Sequence, residues 1–313
     1  NEGNRRNGVE TDPAVSAAPS PKRFGTFAGV FTPTLLTILG VIMFLRLPWV
    51  VGNAGLLGSW LILAVAFGIT AATGLSLSSI ATNTRLEAGG PYAIIARSLG
   101  LEVGGSVGVP LYVSQALAVA MYVFGFREGY HWIFPHHPAL LVDMGVFAVI
   151  FALALISTTL AFRIQYVVMA VIAVSLVLVL GNVSVYRSGA SINWWGSYPG
   201  SAETGFEGSS FWLVFAVFFP AATGVMAGAN MSGDLKSPRR SIPIGTLSAI
   251  AISVVIYFAL TIWSCYAAPS GELSGNYTIM IDKSLWAPGV LAGLLGATFS
   301  SALSSLLGAP RIL

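Results

Sequence analysis

Two apolar runs carry a proline, a threonine and a glycine where a spanning helix should be unbroken. They are Pro33-Thr34-Leu35-Leu36-Thr37-Ile38-Leu39-Gly40-Val41 and Phe218-Phe219-Pro220-Ala221-Ala222-Thr223-Gly224-Val225-Met226. A helix opened inside a bilayer exposes backbone groups that lipid cannot satisfy, so the opening must be buried in protein or line a cavity. The half-helix before each break ends in carbonyls without intrahelical partners, a partial negative charge that suits a cation. The half-helix after it starts with free N–H groups that suit an anion. On this ground Thr37, Ile38, Pro220 and Thr223 offer carbonyl or hydroxyl oxygens to a monovalent cation, and Gly40-Val41-Ile42 and Gly224-Val225-Met226 offer amides to anions. No carboxylate lies nearby, so a bound cation would be balanced by co-bound anions, which favours salt transport over a proton relay. The alternative is a pair of proline-kinked packing helices, since Pro and Gly are common in membrane spans.

The elements that must hold these breaks are apolar and long. Of 313 residues, 55% are hydrophobic and only 9% charged, against about 25% charged in average usage; the chain is a polytopic membrane protein. Eight segments near the ~20 residues of a spanning helix cover 28–52, 57–82, 103–128, 138–158, 162–186, 209–232, 241–267 and 286–308. Residues 1–26 read as a disordered tail, polar and without periodicity. No short apolar run with a cleavage site marks a signal peptide. Residues 83–102 read as an amphipathic connector, and 187–208 and 268–285 as polar loops.

Charge sets an orientation. With the N-terminus inside, 11 of the 15 Lys and Arg residues fall on the cytoplasmic side, as the positive-inside rule requires. Arg46, Arg127, Arg187 and Lys283 are left on the outer side. Asn182-Val183-Ser184 and Asn276-Tyr277-Thr278 then lie at the outer face, as weak glycosylation matches relevant only in a eukaryotic host. The lone Cys265 excludes an intrachain disulfide, and His131, His136 and His137 crowd into one Pro-flanked loop that reads as a solvated connector. Asp and Glu are absent from the middle of every span, so any coupling must use neutral oxygens. No nucleophile–base or metal-ligand constellation lies at mid-membrane, which argues against an enzyme. The two breaks lie five helices apart, the spacing expected if segments 1–5 form one repeat and segment 6 opens an inverted second one. Paired interruptions of this kind point to a transporter binding site.

At these residues the chain resembles the cation-chloride cotransporters, in particular the sodium-potassium-chloride branch. The resemblance runs through Thr37-Ile38-Leu39-Gly40-Val41-Ile42-Met43-Phe44-Leu45-Arg46, Ala81-Thr82-Asn83, Gly89-Gly90, Ser98-Leu99-Gly100 and Ala118-Val119-Ala120-Met121-Tyr122-Val123. It is densest from Phe218 to Leu235 and returns at Thr298-Phe299-Ser300-Ser301-Ala302-Leu303. It implies an all-α membrane protein with a LeuT-type inverted-repeat core, helices 1 and 6 discontinuous, here ending after the eighth membrane helix. Residues 27–313 would be the transport domain, with an incomplete second repeat; on that reading this stretch alone is not expected to transport.

The resemblance also implies site residues. Potassium would sit among Thr37, Ile38, Tyr122, Pro220 and Thr223, where Thr37 replaces the asparagine usual in animal members. Sodium would sit among Leu36, Leu39, Ala297, Ser300 and Ser301, a serine pair that potassium-chloride members lack. Chloride would meet Gly40, Val41, Ile42, Gly224, Val225 and Met226. Tyr122 separates this chain from the sodium-chloride branch, which carries histidine there. Arg46 and Glu128 would pair as an outer gate, with Arg127 a competitor for the carboxylate. The implied activity is electroneutral symport of one sodium, one potassium and two chlorides. The expected partners are those ions and the lipid bilayer, with no resident cofactor and no nucleic acid, and a homodimer of the full-length protein left open. Potassium-chloride or sodium-chloride transport, an amino-acid or polyamine permease on the same fold, and a non-transporting homologue are the alternatives.

Overall fold

The computed structural model describes residues 23–83, 90–156, 158–187, 192–202 and 205–312. Much of the expected tail, 1–22, and the connector residues 84–89 with Arg85 and Gly89 lie outside the described residues. The architecture is all helical. A π-helical turn, Phe27–Phe31, leads into α1, Thr32–Ile38; α2 follows at Val41–Leu45 and α3 at Leu47–Asn83. Next come α4 (Gly90–Leu99), α5 (Leu101–Ile133), α6 (Ala139–Ile156), α7 (Thr158–Leu180) and the single turn α8 (Val183–Tyr186). The second half has α9 (Phe211–Ala222), a 3-10 turn at Ala229–Asp234, α10 (Pro238–Ala267), the short α11 (Ser270–Gly275) and α12 (Ile279–Asp282), and α13 (Ala287–Gly308) with a 3-10 turn, Ala309–Arg311. Among the described residues seven helices are long and apolar enough to cross a membrane, counting Phe27–Leu45 as one; α9 is apolar but shorter.

Segments 1 and 6 are both discontinuous, as a LeuT-type core requires. The helices around them form two groups: α3 packs on α10, and α5 and α7 pack on α13, with α1 touching both groups. Segments 1 and 2 meet at Gly55, whose φ of 70° and ψ of −178° reverse the chain where any side chain would be strained. A Cβ there would lie 2.6 Å from the Gly196 nitrogen, because the irregular stretch before α9 docks on this bend. Leu56 and Leu57 N–H groups donate to Asn193 and Trp194 carbonyls, and Gly196 and Tyr198 N–H groups donate to Ala54 and Asn53. Asn53 closes the junction. Its amide donates to Trp49 and Gly200 carbonyls and its Oδ1 accepts from Gly200 N–H and Ser209 hydroxyl, all within 3.0 Å. Every bond that an asparagine side chain can make is therefore made, in full burial. Asn53→Ala leaves several of these partners unpaired, and is expected to lower stability by roughly 2–4 kcal/mol, read as a drop in the thermal unfolding midpoint in detergent.

Three expectations about the elements need correction. The fold reaches into the tail: Phe24 N–H donates to Asp234 O and Phe24 O accepts from Lys236 N–H, and Thr26 bonds Ser241. An apolar cluster of Val30, Leu77, Ala229, Leu235 and Ile242 takes Phe24 against it. The second half of segment 6 is not an α-helix but a turn at 225–228 followed by the 3-10 stretch. Three glycines in ten residues, Gly224, Gly228 and Gly233, give it poor helix propensity. The polar loops, finally, contain the short helices α11 and α12. Asn182 and Asn276 serve as turn anchors there, their side-chain amides donating to Lys283 O and to Asp282.

Candidate ion-binding site

The sequence folds α1 up to Ile38; Leu39 (φ −82°, ψ 46°) and Gly40 (φ −90°, ψ −157°) then leave the helical region before α2 restarts at Val41. Helix α9 ends at Ala222, with Thr223 extended and Gly224 at φ 98°. The two breaks face each other, for a Cβ on Gly224 would lie 2.9 Å from Thr37 Cβ. Gly224 thus meets two demands at once, a left-handed backbone and room for Thr37.

Four carbonyls at the breaks are met by a hydroxyl. Leu36 O accepts from Ser301 at 3.2 Å, and Ile38 O accepts from Tyr257 at 2.8 Å. Ala222 O accepts from Thr70 at 2.7 Å, and Pro220 O accepts from Thr223 at 2.6 Å. Thr37 donates its own hydroxyl to Pro33 O at 2.7 Å, which holds the side chain back along its own helix. A carbonyl that accepts one hydroxyl bond keeps a second lone pair. The Leu36, Ile38 and Ala222 oxygens therefore stay usable as cation ligands while the helix ends remain satisfied, whereas Pro220 O also accepts from Thr223 N–H at 3.3 Å.

Thr70 and Tyr257 were not anticipated from the sequence. Their signal was a hydroxyl at the middle of an apolar helix, which is also an ordinary packing choice. They cross over: α3 caps the break of segment 6 and α10 caps the break of segment 1, as a two-fold related pair of repeats would arrange. Tyr257 is fully buried and its ring packs on Phe67 and Phe218, at 5.3 and 5.5 Å between centroids, so the brace joins α3, α9 and α10.

The potassium candidates Thr37, Tyr122, Pro220 and Thr223 line one cavity of about 620 Å³. Ile38 does not line it; its side chain is fully buried and its carbonyl is held by Tyr257. The sodium candidates Leu36, Leu39, Ala297, Ser300 and Ser301 are all buried. The serines part company: Ser301 bonds Leu36 O and lies against the Tyr122 phenol, whereas Ser300 Oγ is buried with no hydrogen-bond partner. Such an oxygen costs about 1–3 kcal/mol when nothing meets it. Ser301 therefore touches both candidate cation sites, which the sequence suggested were separate.

For anions, Gly40 caps α2 without a side-chain bond, and Gly40, Val41 and Ile42 sit at the foot of α2. Gly224, Val225 and Met226 line the cavity, but their amides open a turn rather than a helix. The remaining lining is neutral: among the described residues it holds Gln115, Gln165, Asn230, Ser304 and Ser305 and no Asp, Glu, Lys, Arg or His.

The cavity extends from the breaks toward the end of the molecule that carries Thr73, Leu111 and Gly308. At the opposite end the Val41 side chain packs on Gly125 beside Thr298, and Gly52 packs on Leu273 and Ser274 of α11. The outer gate expected between Arg46 and Glu128 is not formed. Arg46 lies instead over the Tyr277 ring, 3.8 Å from its centroid, and Glu128 is exposed. An aromatic face meets the guanidinium without desolvating a carboxylate, a contact of about 0.5–2 kcal/mol. Nor does Arg127 compete for Glu128; it pairs at 2.6 Å with Asp143, an acid inside α6.

The family model described as amino acid permease matches residues 29–313. Among curated relatives, Solute carrier family 12 member 9 of Danio rerio is 32% identical over 355 residues, covering 100% of this chain and 40% of the relative. Solute carrier family 12 member 2 of Homo sapiens is 34% identical over 342 residues, covering 93% of this chain and 28% of the relative. Solute carrier family 12 member 3 of Mus musculus is 34% identical over 363 residues, covering 97% and 36%. The chain thus spans 28% to 40% of the length of these relatives.

Proposed function

Because this chain belongs to the amino acid permease family and is similar along its length to solute carrier family 12, the cation-chloride cotransporters, we propose that it forms the ion-binding core of an electroneutral symporter for sodium, potassium and chloride. The observation that carries the reading is a pair of facing helix breaks whose freed carbonyls are hydroxyl-capped, in a cavity without an ionisable side chain among the described residues. A cation held by neutral oxygens brings uncompensated charge into a low-dielectric site, and co-bound chloride is the economical way to cancel it. Potassium is held by the Thr37, Ile38 and Pro220 carbonyls with the Thr223 and Tyr122 hydroxyls. Sodium is held by the Leu36, Leu39 and Ala297 carbonyls with Ser300 and Ser301. The amides of Gly40–Ile42 and Gly224–Met226 meet chloride.

The serine pair favours sodium coupling over a potassium-chloride mode, and Tyr122 favours potassium use over a sodium-chloride mode. With the N-terminus cytoplasmic, as the distribution of basic residues favours, the cavity faces the cytoplasm and Arg46 on Tyr277 belongs to the closed outer side. Exchange to the outside then follows from rocking the α3–α10 pair against α5, α7 and α13. In this reading Thr70 and Tyr257 set the angle at which the break carbonyls meet the ions. Tyr257→Phe keeps the ring and removes the hydroxyl. It is expected to raise the KM for rubidium about fivefold, the equivalent of one hydrogen bond of ~1 kcal/mol, at unchanged surface abundance; an unaltered KM would remove Tyr257 from the site.

One observation favours a second reading. A cavity of about 620 Å³ is larger than bare ions require and falls in the range of small organic ligands, about 300–1,000 Å³. An amino acid or amine is the alternative substrate. Competition separates the two: rubidium uptake by the full-length protein is expected to be inhibited by potassium and untouched by a panel of L-amino acids and polyamines. Inhibition by an amino acid, with its own accumulation, would favour the permease reading.

A further inference from the structure

Gln165, on α7, has no role in the sites above, yet it is only 2% exposed and lines the cavity. Its Nε2 donates to Ser304 Oγ at 2.8 Å, and its Oε1 is buried with no hydrogen-bond partner. On α13, Gly293 packs on Ser175, Gly296 on Val168 and Ser304 on Gln165, so this helix face is turned to α7. Ser300 stands four residues before Ser304 and so lies on the same face, one turn away. Its Oγ is likewise buried without a hydrogen-bond partner, as are Ser175 Oγ on α7 and Asn230 Oδ1 in the cavity lining. Two unmet oxygens, Ser300 Oγ and Gln165 Oε1, thus flank the bonded Ser304.

We propose that Gln165 Oε1 with the hydroxyls of Ser304 and Ser300 forms a second, inner site for a monovalent cation, between the Leu36–Ser301 oxygens and the cavity. The ligand class follows from the donor set. An amide carbonyl and hydroxyls are hard, neutral oxygens, suited to an alkali cation. Calcium and magnesium sites recruit carboxylates, and the lining has none among the described residues. Gln165 Oε1 only accepts and the Ser300 hydroxyl has lone pairs to offer, so a cation entering from the cavity would meet both at once. The site rests on the transport reading above, since a cation must reach the Ser301 oxygens for Ser300 to be shared between the two positions. An ion leaving Ser301 would then step to Ser300 and Gln165 before it meets water, which removes the step from full coordination to none.

The test is equilibrium binding of radioactive sodium to the purified full-length protein. Wild type is expected to bind two sodium ions per chain, Ser301→Ala one, and Gln165→Leu one. Gln165→Glu, nearly the same shape with a charge added, is expected to tighten the inner site about tenfold, as charge-assisted contacts do. This variant keeps the idea testable if Gln165→Leu fails to fold. One ion in wild type, abolished by Ser301→Ala and unshifted in Gln165→Glu, would overturn the inner site and leave the transport reading standing; water would then be what meets Gln165. No sodium bound by wild type or by Gln165→Glu would overturn both.

Discussion

In the full-length protein carrying Ser300→Ala and Ser301→Ala together, half-maximal rubidium uptake is expected to need about a hundredfold more sodium. Both hydroxyls are fully buried; one meets Leu36 O at 3.2 Å and the other has no protein partner. Two contacts to a charged group at roughly 1.5 kcal/mol each amount to about 3 kcal/mol, or a hundredfold in apparent sodium affinity. The fold should tolerate the change, because each substitution deletes a single oxygen and leaves a methyl of the same helix propensity or better. The readout is the sodium concentration at half-maximal rubidium uptake, normalised to surface protein. A half-maximal concentration that does not move would mean that the serines only let α13 approach its neighbours. Potassium-chloride transport would then be the better description.

The second large effect is expected at the other break. Gly224 sits at φ 98° with Thr37 Cγ2 2.5 Å and Thr37 Cβ 2.9 Å from where its Cβ would be. Gly224→Ala therefore meets both a backbone penalty of about 1–3 kcal/mol and a collision with Thr37, the residue proposed to offer its carbonyl to potassium. The break can relax only by moving apart, which pulls Pro220 and Thr223 away from Thr37. Uptake per surface molecule is expected to fall below about a tenth of wild type, since one tenth corresponds to ~1.4 kcal/mol at the rate-determining step. Substituting Gly68, where a Cβ would meet nothing within 4 Å, is the control. Wild-type uptake by Gly224→Ala would show that the breaks need not touch for transport.

The breaks were legible because proline and glycine weaken a helix locally wherever they fall in an apolar run, and the paired spacing of the two runs pointed to a shared site. The cavity does bring Thr37, Tyr122, Pro220 and Thr223 together. What the sequence concealed was long-range. Thr70 meets Ala222 across 152 residues and Tyr257 meets Ile38 across 219, and no local spacing encodes either bond. The gate failed for a related reason: Arg46 had a charged candidate in Glu128, but the fold offers it Tyr277, from a loop whose path the sequence does not constrain. The half-helix expected after Gly224 failed on local grounds that were in view, since the glycines that open the break also deny the following residues a stable α-helix. Phe24 was hidden by its polar surroundings, and its pairing is through backbone groups, to which composition is blind.

In the proposed mechanism, neutral oxygens at the two breaks hold cations whose charge is cancelled by co-transported chloride. Its most direct test is rubidium uptake into proteoliposomes by the full-length protein, with chloride or gluconate outside, with and without sodium, while membrane potential is clamped at different values. Uptake is expected to require both chloride and sodium and to be indifferent to potential. Uptake that persists in gluconate, or that scales with the clamped potential, would contradict the mechanism.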